Sequence, residues 1–156
     1  MSAKAALRPP AVNILVAEDD ANDVLLLRRA FHKADVSAKL HFVFDGREAI
    51  DYLQKLIGQA DRTRFPIPDL LMLDLNMPAV GGLEVLSWLR TQPELASLRV
   101  VVFSSCVAPD TSAQAARLGA YRCITKPMNP LEWVPIFREL HGELPGSEQS
   151  GIRPPA

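Results

Sequence analysis

The chain has 156 residues, 48% of them apolar and 22% charged, and its 17 basic and 18 acidic residues leave a net charge of −1. That balance fits one globular domain with short tails and excludes a disordered, collagenous or disulfide-stapled chain. It offers no basic excess for nucleic acid and no polybasic stretch for a membrane surface, and the short apolar runs fall far below the roughly 20 residues of a bilayer span.

In chain order, 1–10 reads as a tail with two cations and no apolar signal segment. Asn13–Ala17 is a short apolar run that stops at charge. Val24, Leu25, Leu27 and Ala30-Phe31 then recur at helical spacing. Leu40–Phe44 is rich in aromatic and branched residues and reads as a strand. Ala49, Ile50, Leu53 and Leu56-Ile57 mark a second helix, closed by Gly58. Asp69–Leu73 is a buried-looking strand ending at Asp74. Leu83, Leu86 and Leu89 stripe a third helix. Val100–Phe103 is a β-branched strand, and Ala113–Leu118 a short helix stopped by Gly119. Tyr121–Thr125 is the last strand candidate. Leu131–Leu140 is the last helix, with Pro130 near its first turn.

The 13 prolines spare the whole stretch between Ala11 and Phe65 and gather partly at the ends. The expected organisation is one domain over 11–142, with tails over 1–10 and 143–156. Strands that read as unbroken apolar runs are buried on both faces, and helices between them imply parallel pairing. The sequence therefore predicts an α/β doubly wound, five-stranded parallel sheet of the flavodoxin-like (βα)5 type. Sites in such sheets collect beyond the carboxyl ends of the strands.

That rule selects the residues that matter. Glu18, Asp19 and Asp20 follow strand one, and Asp74, Asn76 and Pro78 follow strand three. Ser104-Ser105 end strand four, and Thr125-Lys126-Pro127 end strand five. Carboxylates crowded together repel unless a counter-charge is supplied. A hard divalent cation such as Mg²⁺ supplies it through oxygen ligands, and beside it a carboxylate can attack phosphorus. The hydroxyl and the lysine can then hold the phosphoryl oxygens.

With these residues in place, the chain resembles the receiver domains of two-component response regulators. The resemblance spans about Val12 to His141. It rests on four stretches in order, namely Ile14–Asp20, Leu71–Gly82, Val101–Ser105 and Ile124–Pro127. The Gly58–Pro68 insertion, Asp45–Ala49 and Pro93–Leu98 are similar to single-domain receivers that partner phytochrome-type histidine kinases. The resemblance implies that Asp74 is the phosphoacceptor and Asp19 a direct Mg²⁺ ligand. It makes Glu18 the second acidic residue, acting through water, and gives the Asn76 backbone carbonyl to the metal. Ser104 becomes the hydroxyl that follows the phosphoryl group, and Lys126 the phosphate-contacting lysine. Pro127 matches a proline that often follows a cis peptide, which would aim Lys126 inward.

One position departs from the family pattern: Cys123 stands where an aromatic switch residue is usual. Tyr121, two residues earlier, is expected on the same sheet face, which leaves open whether Cys123 is a passive core residue or Tyr121 or a partner's aromatic takes the switch role. Plainer roles are expected for other residues. Asp20 caps the first helix, Asp23 sits in its first turn, and Ser105 is a spacer. Cys106 and Cys123 read as structural, and with so few cysteines a reducing cytoplasm is expected. His32, His41 and His141 are structural or exposed. Trp88 belongs to the core, while Trp133 is open between core and partner face.

The resemblance implies a signalling module that takes a phosphoryl group from a sensor histidine kinase, including a bacteriophytochrome, and acts through protein contacts. A receiver-like module that takes no phosphate is the alternative. An aspartate-nucleophile phosphohydrolase is disfavoured, because Asn76 stands where the proton-exchanging aspartate of those enzymes would be. Helix five carries apolar residues around much of its circumference, which suggests a homodimer through helix four, strand five, helix five and the C-terminal tail.

Overall fold

Five parallel strands pair in the order β2-β1-β3-β4-β5 in a computed structural model that describes residues 11–59, 61, 63, 66–145 and 147. The tail expected over 1–10 lies outside the described residues, as do 146 and 148–156 of the tail expected over 143–156 and parts of the Gly58–Pro68 insertion. The strands are β1 (Val12–Ala17), β2 (Ala38–Val43), β3 (Leu70–Asp74), β4 (Arg99–Ser104) and β5 (Arg122–Thr125). The helices are α1 (Ala21–Ala34), α2 (Gly46–Leu56), α3 (Gly82–Leu89), α4 (Pro109–Arg117) and α5 (Trp133–Gly142). Every neighbouring pair runs parallel, as the helical crossovers require. No helix among the described residues is long and apolar enough to cross a membrane.

Strand parity divides the core into two layers. Successive side chains of a strand point to opposite faces. Ile14, Val16, Leu70, Met72, Val101 and Phe103 therefore face one layer, shared with α1 and α5. Leu15, Ala17, Leu71, Leu73, Val100 and Val102 face the other, shared with α2, α3 and α4. The first layer carries the large aromatics. Phe103 meets Trp133 edge-on at 5.8 Å, Trp133 stacks on Phe137 at 5.6 Å, and Phe137 meets Phe31 edge-on at 5.1 Å between centroids. Trp133 is thus a core residue, settling the question that the sequence leaves open. Trp88 is only half-buried, against the second layer. Leu144, which the sequence assigns to the tail, packs into the first layer.

Local chemistry explains the element ends. Asp20 caps α1, its Oδ1 accepting from the amides of Asn22 at 2.8 Å and Asp23 at 3.1 Å. Asp45 caps α2 through the Glu48 amide, while the Glu48 carboxylate accepts from the Phe44 amide. The strands differ from the sequence expectation by a residue or two, and two helix starts depart from it as well. α4 starts at Pro109, four residues early, because proline fits a first turn whose amides need no partner. Pro130–Glu132 form a separate 3₁₀ turn, so α5 begins only at Trp133.

The loop after β3 is built without room to spare. A Cβ added to Gly82 would lie 2.6 Å from the Asp74 carbonyl oxygen and 2.8 Å from Leu75 Cα, both backbone atoms. Ala79 in the same loop holds a left-handed φ of 63°. Gly82→Ala is expected to destabilise the fold by about 1–3 kcal/mol, because backbone must move to admit the methyl. Urea unfolding of the variant beside wild type measures the loss.

Candidate functional site

The same parity that sorts the core also sorts the carboxyl edge. Glu18 continues the odd-even phase of Ile14 and Val16, Asp74 that of Leu70 and Met72, and Lys126 that of Ile124. All three share the face of α1 and α5 at the ends of three strands. Asp23, on the first turn of α1, overhangs that corner. The Lys126 ammonium consequently donates to Glu18 Oε2 at 2.8 Å, Asp23 Oδ2 at 2.9 Å and Asp74 Oδ2 at 2.9 Å. It also lies 5.3 Å from the centroid of the Phe103 ring.

Burial sharpens these interactions. Glu18, Asp74 and Ser104 are 0%, 2% and 1% exposed and are the buried polar residues among those described. Burial pushes the Glu18 carboxyl up to about 7, against the opposing pull of Lys126 and the Asp20 amide, and the Asp74 charge adds to the rise. Burial also pulls the Lys126 ammonium down, but its bonds to Glu18, Asp23 and Asp74 outweigh that and hold it above the ordinary lysine range.

Glu18, Asp19 and Asp74 each bring a carboxylate oxygen within 4.8 Å of the others. One ammonium does not neutralise this group, and an all-oxygen donor set suits a hard divalent cation. Asp74 Oδ1 accepts from the Asn76 amide at 2.9 Å, so the loop after β3 is folded back onto the carboxylate. The Asn76 side-chain amide donates to Ser104 Oγ at 2.7 Å, and that hydroxyl points to the Cys106 carbonyl at 3.3 Å. Sequence reasoning therefore selected residues that the fold brings together: Glu18, Asp19, Asp74, Asn76, Ser104 and Lys126.

Three expectations are corrected. No cis peptide occurs among the described residues. Lys126 points inward without one, drawn by the three carboxylates. Tyr121 lies just before β5, at the opposite end of the sheet from Lys126, 47% exposed and 4.9 Å from the Arg99 guanidinium. It is not placed to replace the absent aromatic at Cys123, which packs against the α2–α4 layer. Asp23 does more than occupy a first turn, since it is a direct partner of Lys126. The sequence contained a signal for this: with Asp20 as cap, Asp23 falls on the turn of α1 nearest the strand ends.

The comparisons bear on this geometry directly. The family model described as response regulator receiver domain matches residues 14–137. The chain belongs to the response regulator receiver family. Response regulator Rcp1 of Synechocystis is 31% identical over 121 residues, covering 78% of this chain and 80% of Rcp1. Response regulator RPA3017, solved from red-light signalling of R. palustris, superposes with a TM-score of 0.76 at 32% identity, covering 91% of this chain and 99% of that one. The phosphorylated cyanobacterial phytochrome response regulator RcpA gives 0.74 at 29% identity, covering 86% and 99%. Rcp1 itself has been solved with Mn²⁺ bound. Receiver domains bind such divalent cations in an acidic pocket, and Glu18, Asp19 and Asp74 form an acidic cluster in this chain.

Glu18 gives a pH signature with a defined sign. It titrates near 4.5 unfolded and near 7 folded, so between these values the folded state holds more protons. Its contribution to metal-free stability is present below 4.5 and is lost as pH rises through 7. Urea unfolding in chelator, compared between wild type and Glu18→Gln, isolates this contribution from other groups. The stability of wild type relative to the variant should fall between pH 5 and pH 8; a rise would contradict the assignment.

Proposed function

We propose that the chain is a phosphoacceptor of two-component signalling, with Asp74 as the nucleophile and Mg²⁺ as its metal. The observation that supports this most is the Lys126 ammonium, 2.9 Å from a 2%-exposed aspartate that lies within a cluster of oxygen ligands. A sensor histidine kinase is the donor. An Asp74 oxygen attacks phosphorus, the new O–P bond forms, and the P–N bond to histidine breaks with its electron pair returning to the imidazole. Mg²⁺, when bound by Glu18, Asp19, Asp74 and the Asn76 carbonyl, offsets the carboxylate charge that would otherwise repel a phosphate. Lys126 exchanges a carboxylate for a phosphoryl oxygen. Ser104, already hydrogen-bonded to Asn76 beside Asp74, supplies a hydroxyl to a second.

A bacteriophytochrome is proposed as the kinase, by analogy with the phytochrome regulator RcpA and the red-light regulator RPA3017. We place this reaction in the cytoplasm, with output through protein contacts. A homodimer through α4, β5, α5 and the C-terminal segment has little apolar surface of α5 to draw on, because Trp133, Phe137 and Leu140 pack into the core.

Phosphohydrolase chemistry is disfavoured by geometry as well as by residue type. The Asn76 side-chain amide is neither an acid nor a base near neutral pH and is engaged with Ser104. Incubation with Mg²⁺ and acetyl phosphate, read on phosphate-affinity gels, separates the readings. A lasting label on wild type and none on Asp74→Asn is expected. Rapid turnover of many phosphate esters would indicate a hydrolase, and no reaction would indicate a contact-only module.

Metal binding is expected to raise the melting temperature, since a ligand of the native state stabilises it by about 2.7 kcal/mol at a hundredfold excess over Kd. Asp19→Asn should lose most of the Mg²⁺-dependent shift. An undiminished shift in that variant would place the metal elsewhere.

A further inference from the structure

Asp23 is the carboxylate on Lys126 that the metal reading does not use. Glu18 and Asp74 belong with Asp19 to the cluster of cation ligands, and Asp23 stands outside it. It differs from the other two in exposure, with its side chain 37% exposed against 0% for Glu18 and 3% for Asp74. It also lines, with Lys126, Phe103 and Trp133, a cleft of about 180 Å³ beside the acceptor. The helix does not need it as a cap, because Asp20 fills that role and fixes the Asp23 backbone through its amide.

An ammonium has three N–H donors, and on Lys126 all three are committed. Contact with a phosphoryl oxygen requires that one be surrendered. Phosphorylation of Asp74 weakens that oxygen as an acceptor, and the metal competes for Glu18. Nothing in the reaction draws on Asp23, which keeps its claim on the lysine throughout. Its charge also faces the incoming phosphoryl dianion across the mouth of the site.

We propose that Asp23 is a positioning residue that restrains Lys126 and thereby sets how readily Asp74 accepts a phosphoryl group. This inference rests on the phosphoacceptor reading above. Asp23 touches neither phosphorus nor metal in this scheme, and it acts through the lysine.

The test measures Mg²⁺-dependent labelling by acetyl phosphate. In that reaction the O–P bond to Asp74 forms, the P–O bond to acetate breaks, and acetate leaves with the electron pair. Wild type, Asp23→Asn and Asp23→Glu are compared at low and high ionic strength, with melting temperature recorded for each. Asp23→Asn keeps the shape and removes the charge. It should raise the labelling rate at subsaturating donor by about fivefold at low salt, the scale of one unit charge at a few ångströms in water. The gain should shrink at high salt, because a partly exposed charge is screened. Asp23→Glu, which restores the charge, should return towards wild type. The Lys126 Nζ resonance should shift in Asp23→Asn, a signature that loss of a first-turn acid alone would not give.

If wild type takes label and Asp23→Asn labels at the wild-type rate or more slowly at both salts while remaining folded, the inference is overturned and the phosphoacceptor reading stands. If wild type takes no label, the phosphoacceptor reading falls and this inference falls with it. Should Asp23→Asn melt early, Asp23→Ser, which also removes the charge and suits a first turn, takes its place in the same assay, and a folded Asp23→Ser that labels no faster than wild type at low salt overturns the restraint.

Discussion

A single ammonium, that of Lys126, allows Glu18, Asp23 and Asp74 to share one corner of the sheet. Three carboxylates so close to one another, two of them cut off from water, could not all stay charged without it. The rest of the edge is arranged around this contact. Three strands and one helix meet at that point, each tied to it: β1 ends there through Glu18, α1 begins there through Asp23, and β3 and β5 end there through Asp74 and Lys126. The lysine is a substitute for greater positive charge, not a full answer to the acidity around it. Burial raises the Glu18 carboxyl and the Asp74 charge adds to the rise, so further cationic charge at the corner would lower it again.

Period-two alternation places the site as firmly as it places the core. Glu18, Asp74 and Lys126 are continuations of strands whose preceding members lie against α1 and α5, so their heads emerge on that side. Ser104 has the opposite phase in β4, following Val100 and Val102, and reaches the site through Asn76 instead of through the lysine. The hydroxyl and the ammonium thus approach Asp74 from the two faces of the sheet. Under the proposed function, that division would give a phosphoryl group partners on both sides without requiring either helical layer to supply both.

Much of this was legible in the sequence for a physical reason. Parallel strands buried on both faces read as continuous apolar runs, and the rule that sites sit beyond their carboxyl ends turns such runs into a short list of residues. Glu18, Asp19, Asp74, Asn76, Ser104 and Lys126 followed from that list and from resemblance. What stayed hidden depended on which face each helix covers. The contact of Asp23 with Lys126 requires α1 to lie on the same side as Glu18, and a helical stripe is silent about that choice. The burial of Trp133 requires α5 to lie there too. The start of α4 was missed because the first turn carries no apolar stripe, only the proline that opens it. Tyr121 stayed a candidate for the switch role because parity gives a face and not a height along the strand.

The distribution of aromatic rings has an optical consequence. The protein has two tryptophans. Trp133 is buried and coupled edge-on to Phe103, whose ring lies beside the Lys126 ammonium, whereas Trp88 is half-buried on the far side of the sheet. An indole responds to charge in its vicinity and to access by quenchers. The two emitters are therefore separable, Trp88 being the one open to a quencher in solution and Trp133 the one wired to the acidic corner. The molecule carries its own fluorescent gauge of that corner, with an internal reference across the sheet and no label attached.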